Sequence, residues 1–195
     1  MGKEQLSHFY DNLFTNGGAE QAYHKHYQNC FYYPAWIAAM DLLRQICPQS
    51  ILELGCGPGQ FAAMIHDHLN PTPDYLGLDF SAKGIEISRN NCPKLSFEIV
   101  DIVKDAIPTK DFDCVVCLET LEHIHADLTV LKKLPLGIPL IFSVPNFNSA
   151  SHVRWFTDEQ AIRKRYEGLV EFKDIKTIQI GTHTNLLFIV KGIRI

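Results

Sequence analysis

Between Ser50 and Val144 short apolar runs alternate with stretches of helical periodicity, and no other feature of the chain restricts its fold so strongly. Ser50 to Leu54, Tyr75 to Leu78, Leu95 to Val100, Phe112 to Leu118 and Pro139 to Val144 have the length and apolar content of buried strands. Between them Phe61, Met64, Ile65 and Leu69 mark one helix, Ser81 is placed to cap a second that runs toward Asn91, and residues near 120 to 134 read as a third. Five β–α alternations predict a doubly wound, Rossmann-like α/β fold whose mostly parallel sheet is covered on both faces. Ahead of the sheet, Gln5 to Phe14 and Glu20 to Asn29 read as short helices divided by Asn16-Gly17-Gly18, and a further helix follows Pro34 and stops at Pro48. Thr157 and Gln160 have the spacing of a capping box for another helix. Phe172 to Ile180 and Leu186 to Ile195 read as a closing hairpin, with Gly181 and polar residues between them.

The bulk properties exclude several classes. A length of 195 residues suits one domain, expected over 1–195, with 1–35 a helical lid or substrate segment and 36–195 the ligand-binding core. No apolar run approaches the roughly 18 residues of a membrane span, and the polar start MGKEQLSHFYDN has no signal-peptide core, so the protein is expected in the cytoplasm. Leu6 stands where a myristoylation motif needs Ser or Thr. A net charge of −4 argues against a nucleic-acid partner, and Arg163-Lys164-Arg165 reads as a solvated helix end. The six cysteines are expected as free thiols. Cys114-x-x-Cys117 falls inside a strand, where residues three apart point to opposite faces, so it reads as two core cysteines.

Ligands of open α/β sheets bind beyond the carboxyl ends of the strands, and four marked features lie there. Ile51-Leu52-Glu53-Leu54-Gly55-Cys56-Gly57-Pro58-Gly59 places a glycine-rich turn after the first strand. Such a turn alone also suits nicotinamide and flavin cofactors. The acid two positions before the first glycine separates the cases: Glu53 would repel a pyrophosphate at the following helix N-terminus, whereas S-adenosylmethionine (SAM) has no phosphate and carries an ammonium and a sulfonium. Asp79, twenty positions after Gly59, ends the second strand where a carboxylate can accept from ribose hydroxyls; Asp101 ends the third, with Ile102 beside it. A solvated loop or a helix cap is the plain alternative for any one of these acids.

Taken in order, ILELGCGPG, YLGLDFS, FEIVDI, DFDCVVCLETLEHI and LIFSVPN resemble the class I SAM-dependent methyltransferases, from about residue 34 to the C-terminus. The resemblance implies a seven-stranded sheet with an antiparallel last strand. It places Glu53, Gly55 and Gly57 at the methionine end of SAM, Asp79 at the ribose, Phe80, Asp101 and Ile102 at the adenine, and Cys117 and Leu118 against the cofactor after the fourth strand, with Cys56 also counted in the cofactor site. Leu-Glu-Thr-Leu stands where amino methyltransferases of DNA carry an Asn/Asp-Pro-Pro-Tyr motif, a departure that argues against that substrate.

Methyl transfer from a sulfonium needs alignment, exclusion of water and, for a hydroxyl acceptor, a base. Glu119, Glu122, His123, His152 and Arg154 are the candidates, with His123 and Glu122 chosen as the catalytic pair. Glu119-x-x-Glu122-His123 resembles quinone-biosynthesis-type O-methyltransferases and terminal-ribose methyltransferases of small RNAs, relatives in which such residues can hold a divalent metal. Acids at a helix start are the plain alternative. Glu119 and Glu122 would share a helical face. The pairs His24/His26, His66/His68 and His123/His125 would not, so no metal ligand is assigned. Nine of the 21 aromatic residues lie in positions 1–36, which suits a lid over SAM and a flat acceptor. The expected activity is methyl transfer to a small-molecule acceptor at oxygen; an RNA-end methyltransferase and a non-catalytic SAM-binding protein are the alternatives. No membrane span is expected, and a homodimer stays open.

Overall fold

The computed structural model describes residues 2–108, 112–181 and 184–195. Seven strands form one sheet in the order β3-β2-β1-β4-β5-β7-β6: β1 Ser50–Leu54, β2 Asp74–Asp79, β3 Ser96–Ile99, β4 Cys114–Cys117, β5 Pro139–Pro145, β6 Val170–Gln179 and β7 Leu186–Arg194. The first five pair parallel, and β7 runs antiparallel to both β5 and β6. The closing hairpin therefore folds back so that its second strand lies against β5. Residues 182 and 183 of the expected turn lie outside the described residues.

Alternation along each strand divides the core between the two faces of the sheet. Ile51, Cys114, Val116 and Ile141 join a cluster with Trp36, Met40, Phe61 and Ile65; Leu52, Leu54, Val115, Cys117, Leu140 and Phe142 join another with Leu131, Ile162 and Tyr166. Cys114 and Cys117 thus lie on opposite faces, both buried free thiols. The flanking helices are α1 Ser7–Thr15, α2 Tyr33–Ile46, α3 Gln60–His68, α4 Ala82–Asn91, α5 Asp127–Lys132 and α6 Glu159–Arg165. Ser81 caps α4 by accepting from the Gly84 amide, and Pro34 occupies the first turn of α2.

Three local expectations need correction. Residues 20–29 do not form an α-helix. Glu20 and Gln21 have left-handed backbone (φ 52° and 58°), and short 3-10 turns at Ala19–His24 and Tyr27–Asn29 replace it. The segment is instead held by tertiary bonds, with the Gln60 amide donating to the Ala22 and Lys25 carbonyls at 2.9 and 2.7 Å. Residues 120–134 split into a 3-10 turn, Leu121–His123, and the short α5. The cap of α6 is Asp158, which accepts from the Ala161 amide at 2.8 Å, while Thr157 donates to that carboxylate. An ionised Asp complements the helix N-terminus better than the Thr hydroxyl would.

Candidate functional site

The carboxyl ends of β1, β2 and β4 open into a cavity of about 620 Å³, a volume in the range of small-molecule sites. Its floor begins with the turn after β1. Gly55, Gly57 and Gly59 all have positive φ, and a Cβ on Gly55 would sit 2.1 Å from Thr120 Oγ1 in the loop after β4. Only glycine allows both the left-handed backbone and that approach. The Gly55 and Cys56 amides donate to the Leu78 carbonyl at 2.7 and 3.0 Å, which ties the turn to β2.

Asp79 knits the next two loops together. One carboxylate oxygen accepts from the Gly57 amide at 2.9 Å and the other from the Ser81 amide at 2.8 Å. Each oxygen keeps a lone pair for a further donor from the cavity. Burial pushes this carboxyl up to about 6 against the pull of those amides. Glu53, 3% exposed, accepts from the Tyr75 hydroxyl, and burial raises it to about 7. Asp101 lines the cavity, but its carboxylate serves the turn that follows: it accepts from the Val103 and Lys104 amides and from the Lys104 ammonium at 2.7 Å. Lys133, at the end of α5, donates to the carbonyls of Ile102, Val103 and Asp105 at 2.7–2.8 Å and so holds the same turn from outside. Sequence reasoning overlooked Lys133, because nothing around residue 133 marks a contact with residues 30 positions earlier.

The structure brings Glu53, Gly55, Cys56, Gly57, Asp79, Phe80, Asp101, Ile102, Leu118 and His123 to the cavity wall. Cys117 and Glu122 are fully buried behind it. The roof is the N-terminal segment. The Tyr10 ring lies 5.3 Å from Phe80 and 6.0 Å, edge-on, from His123, spanning both halves of the cavity. The Asp11 carboxylate accepts from the Ser81 hydroxyl at 2.7 Å and the Lys83 amide at 3.0 Å; the Gly2 and Lys3 amides donate to the carbonyls of His152 and Ala150.

At the far end, Glu119 and Glu122 do not share a helical face, since Glu119 has left-handed backbone (φ 51°) and the 3-10 turn starts only at Leu121. Glu119 is held by Ser143 on β5, which accepts from its amide at 2.7 Å and donates to its carboxylate at 2.6 Å. His123 and His152 donate from Nδ1 to the carbonyls of Ser151 and Phe147, both at 3.0 Å, so each presents an unprotonated Nε2. His123 Nε2 lies 3.9 Å from a carboxylate oxygen of Glu122, and neither oxygen of that carboxylate has a hydrogen-bond partner among the described residues. One ligand atom each from Glu122, His123 and His152 fall within 4.8 Å of one another. Burial and the neighbouring Glu119 raise Glu122 well above the carboxylate range; burial and His152 lower His123 to about 4. Spacing along the chain paired His123 with His125. The partner in space is His152, 29 positions away, with its ring 4.9 Å from that of His123. Arg154 buttresses this loop, donating to the carbonyls of Leu121, Ile124 and His125 and pairing with buried Asp127, which Arg165 also holds at 2.6 Å.

Residues 51–134 match the model of a methyltransferase domain. Trans-aconitate 2-methyltransferase of Streptomyces coelicolor is 31% identical over 140 residues, which cover 65% of this chain and 46% of that protein. Small RNA 2'-O-methyltransferase of Arabidopsis thaliana is 26% identical over 125 residues, covering 56% of this chain and 13% of that protein. The chain thus spans at most about half the length of these curated relatives. Among solved structures, the N-methyltransferase NodS from Bradyrhizobium japonicum, in complex with S-adenosylhomocysteine, superimposes with a TM-score of 0.73 at 16% identity, covering 95% of this chain and 98% of that one. Residues 51–134 thus resemble a methyltransferase domain, and the chain shares its fold with a methyltransferase whose structure holds S-adenosylhomocysteine.

Proposed function

We propose that this domain transfers the methyl group of SAM to a hydroxyl oxygen of a small-molecule acceptor bound under the N-terminal segment, residues 1–35 acting as a lid. The observation that carries the reading is His123, an uncharged imidazole on the cavity wall with Nε2 unprotonated, in the same cavity as the cofactor loops. In this reading Nε2 accepts the hydroxyl proton as the oxygen attacks the sulfonium methyl, and Glu122 acts through His123 because its own carboxylate does not reach the cavity. Glu53 and Asp79 hold the cofactor, and Tyr10 closes the transfer line against water.

A divalent cation fits this arrangement. Glu122 has two buried oxygens without partners, and both histidines have their tautomers set by backbone carbonyls, the arrangement typical of ligating imidazoles. Glu122, His123 and His152 would hold the ion, which would polarise an acceptor hydroxyl as a Lewis acid; His123 Nε2 would then be a ligand and not the proton acceptor. The same cluster favours one second reading, the terminal ribose of an RNA, in keeping with the name of the Arabidopsis relative.

The test is transfer of labelled methyl from SAM to hydroxyl-bearing metabolites and to short RNAs, with magnesium, manganese or a chelator present. Product from metabolites, lost in His123→Ala while S-adenosylhomocysteine still binds, is the expected result. Methylation of RNA ends alone supports the second reading. Binding of SAM without any turnover leaves a cofactor-binding protein.

A further inference from the structure

Resting on that methyl-transfer reading, we infer that the acceptor is an aromatic compound without an anionic group, selected by a cavity that offers carboxyls and π-faces and, among the described residues, no free cation. The wall holds the carboxyls of Glu53, Asp79, Asp101 and Glu119. Lys104 is the sole Lys or Arg among the described lining residues, and its ammonium is 2.7 Å from Asp101 at the rim, three-quarters exposed. The two histidines at the reacting end each turn Nδ1 to a backbone carbonyl, of Ser151 and Phe147. The guanidinium of Arg154, beside them, is occupied by three carbonyls and Asp127. Tyr10, Phe31, Tyr32 and Trp36 supply the aromatic surface.

These groups sort ligands by charge. Burial raises Glu53 to about 7, as expected of a carboxyl with no positive partner among the described residues. A cationic ligand relieves that state. An anionic ligand adds a like charge to a wall that has nothing to neutralise it, at the short distances where charges act strongly in a partly dry site. SAM brings a sulfonium and an ammonium against one carboxylate, a net positive charge, and meets the first condition. Aromatic faces attract cations and stack on flat rings, which favours the same class. A cation held by Glu122, His123 and His152 would be balanced by Glu122 and Glu119, so the charge selection is a property of the ion-free cavity.

Three catechols of matched shape test the inference: dihydroxybenzylamine, dihydroxybenzyl alcohol and dihydroxybenzoate, titrated calorimetrically at pH 8 into the full chain saturated with S-adenosylhomocysteine. The amine and the alcohol should bind roughly tenfold or more tighter than the benzoate, the size of effect that one uncompensated charge contact produces. Glu119→Gln should narrow the gap between amine and benzoate severalfold. Benzoate binding as tightly as the alcohol overturns the inference, and so does the absence of binding by all three. If the order of binding holds but SAM methylates none of them, the hydroxyl-transfer reading fails while the charge selection stands.

Discussion

The hydroxyl of Tyr75, on β2, donates a hydrogen bond to the carboxylate of Glu53, on β1, and both side chains are buried, with Glu53 on the cavity wall. The bond favours the ionised carboxylate in a place where burial opposes it. Removing the donor with Tyr75→Phe should raise the Glu53 pKa further, so SAM binding near pH 7 weakens and recovers at higher pH. Calorimetric titration across pH 6–9 gives the check; a uniform loss at all pH values would mean that Tyr75 only packs.

Glu53 also has a cost to the ligand-free fold. Its pKa rises from 4.5 to about 7 on folding, so the native state binds the proton more tightly than the unfolded chain. The stability from this group is present in full below about pH 4.5 and is lost as pH climbs through about 7. A shift of this size corresponds to on the order of 3 kcal/mol. Glu53→Gln should therefore raise the melting temperature of the ligand-free protein at pH 8 by a few degrees while weakening SAM binding. An unchanged or lower melting temperature would count against an ionised, desolvated Glu53.

Asp79→Ala should weaken SAM binding more than Asp101→Ala. Asp79 bonds to the Gly57 and Ser81 amides and keeps lone pairs for the ribose, whereas Asp101 is engaged by Val103 and Lys104. Two charge-assisted hydrogen bonds at roughly 1.5–3 kcal/mol each make the Asp79 loss at least ~100-fold. Equal losses would contradict this division of roles.

Lys133→Met should raise the KM for SAM by about tenfold and leave kcat within about twofold, because the lysine touches only the carbonyls of the turn beside Asp101 and Ile102. Steady-state kinetics decides. A fall in kcat with KM unchanged would place its influence at the reacting end instead.

The N-terminal segment should be loosely held without cofactor and gain hydrogen-exchange protection over residues 5–29 when S-adenosylhomocysteine binds. Its anchors are hydrogen bonds at scattered points with short helical elements between them: Asp11 on the start of α4, Gln60 on the 3-10 turns, Gly2 and Lys3 on Ala150 and His152, Glu4 on the His125 amide and Tyr27 on Asp67. Asp11→Ala should speed exchange across α1 in both states. Protection in the free protein equal to that of the central strands would end the lid proposal.

The sequence by itself determined the β–α order, the position of every strand to within a few residues, the glycine turn and the acids at the ends of β1 to β3. These are readable because strand burial repeats every second residue and because a positive-φ turn admits few residues besides glycine. It also put Cys114 and Cys117 on opposite faces from spacing alone. Tertiary structure decided the rest. Residues 20–29 have helical composition, yet bonds from Gln60 and left-handed Glu20 and Gln21 break the helix. Glu119 and Glu122 are close because β5 supplies Ser143 to hold one and Leu121–His123 turns to bury the other, not because a helix aligns them. His152 meets His123 across 29 residues, and Lys133 reaches Ile102 across 31. Local patterns reflect forces acting within a few residues; which distant side chains converge depends on how the loops at the sheet edge pack, and no period along the chain encodes it.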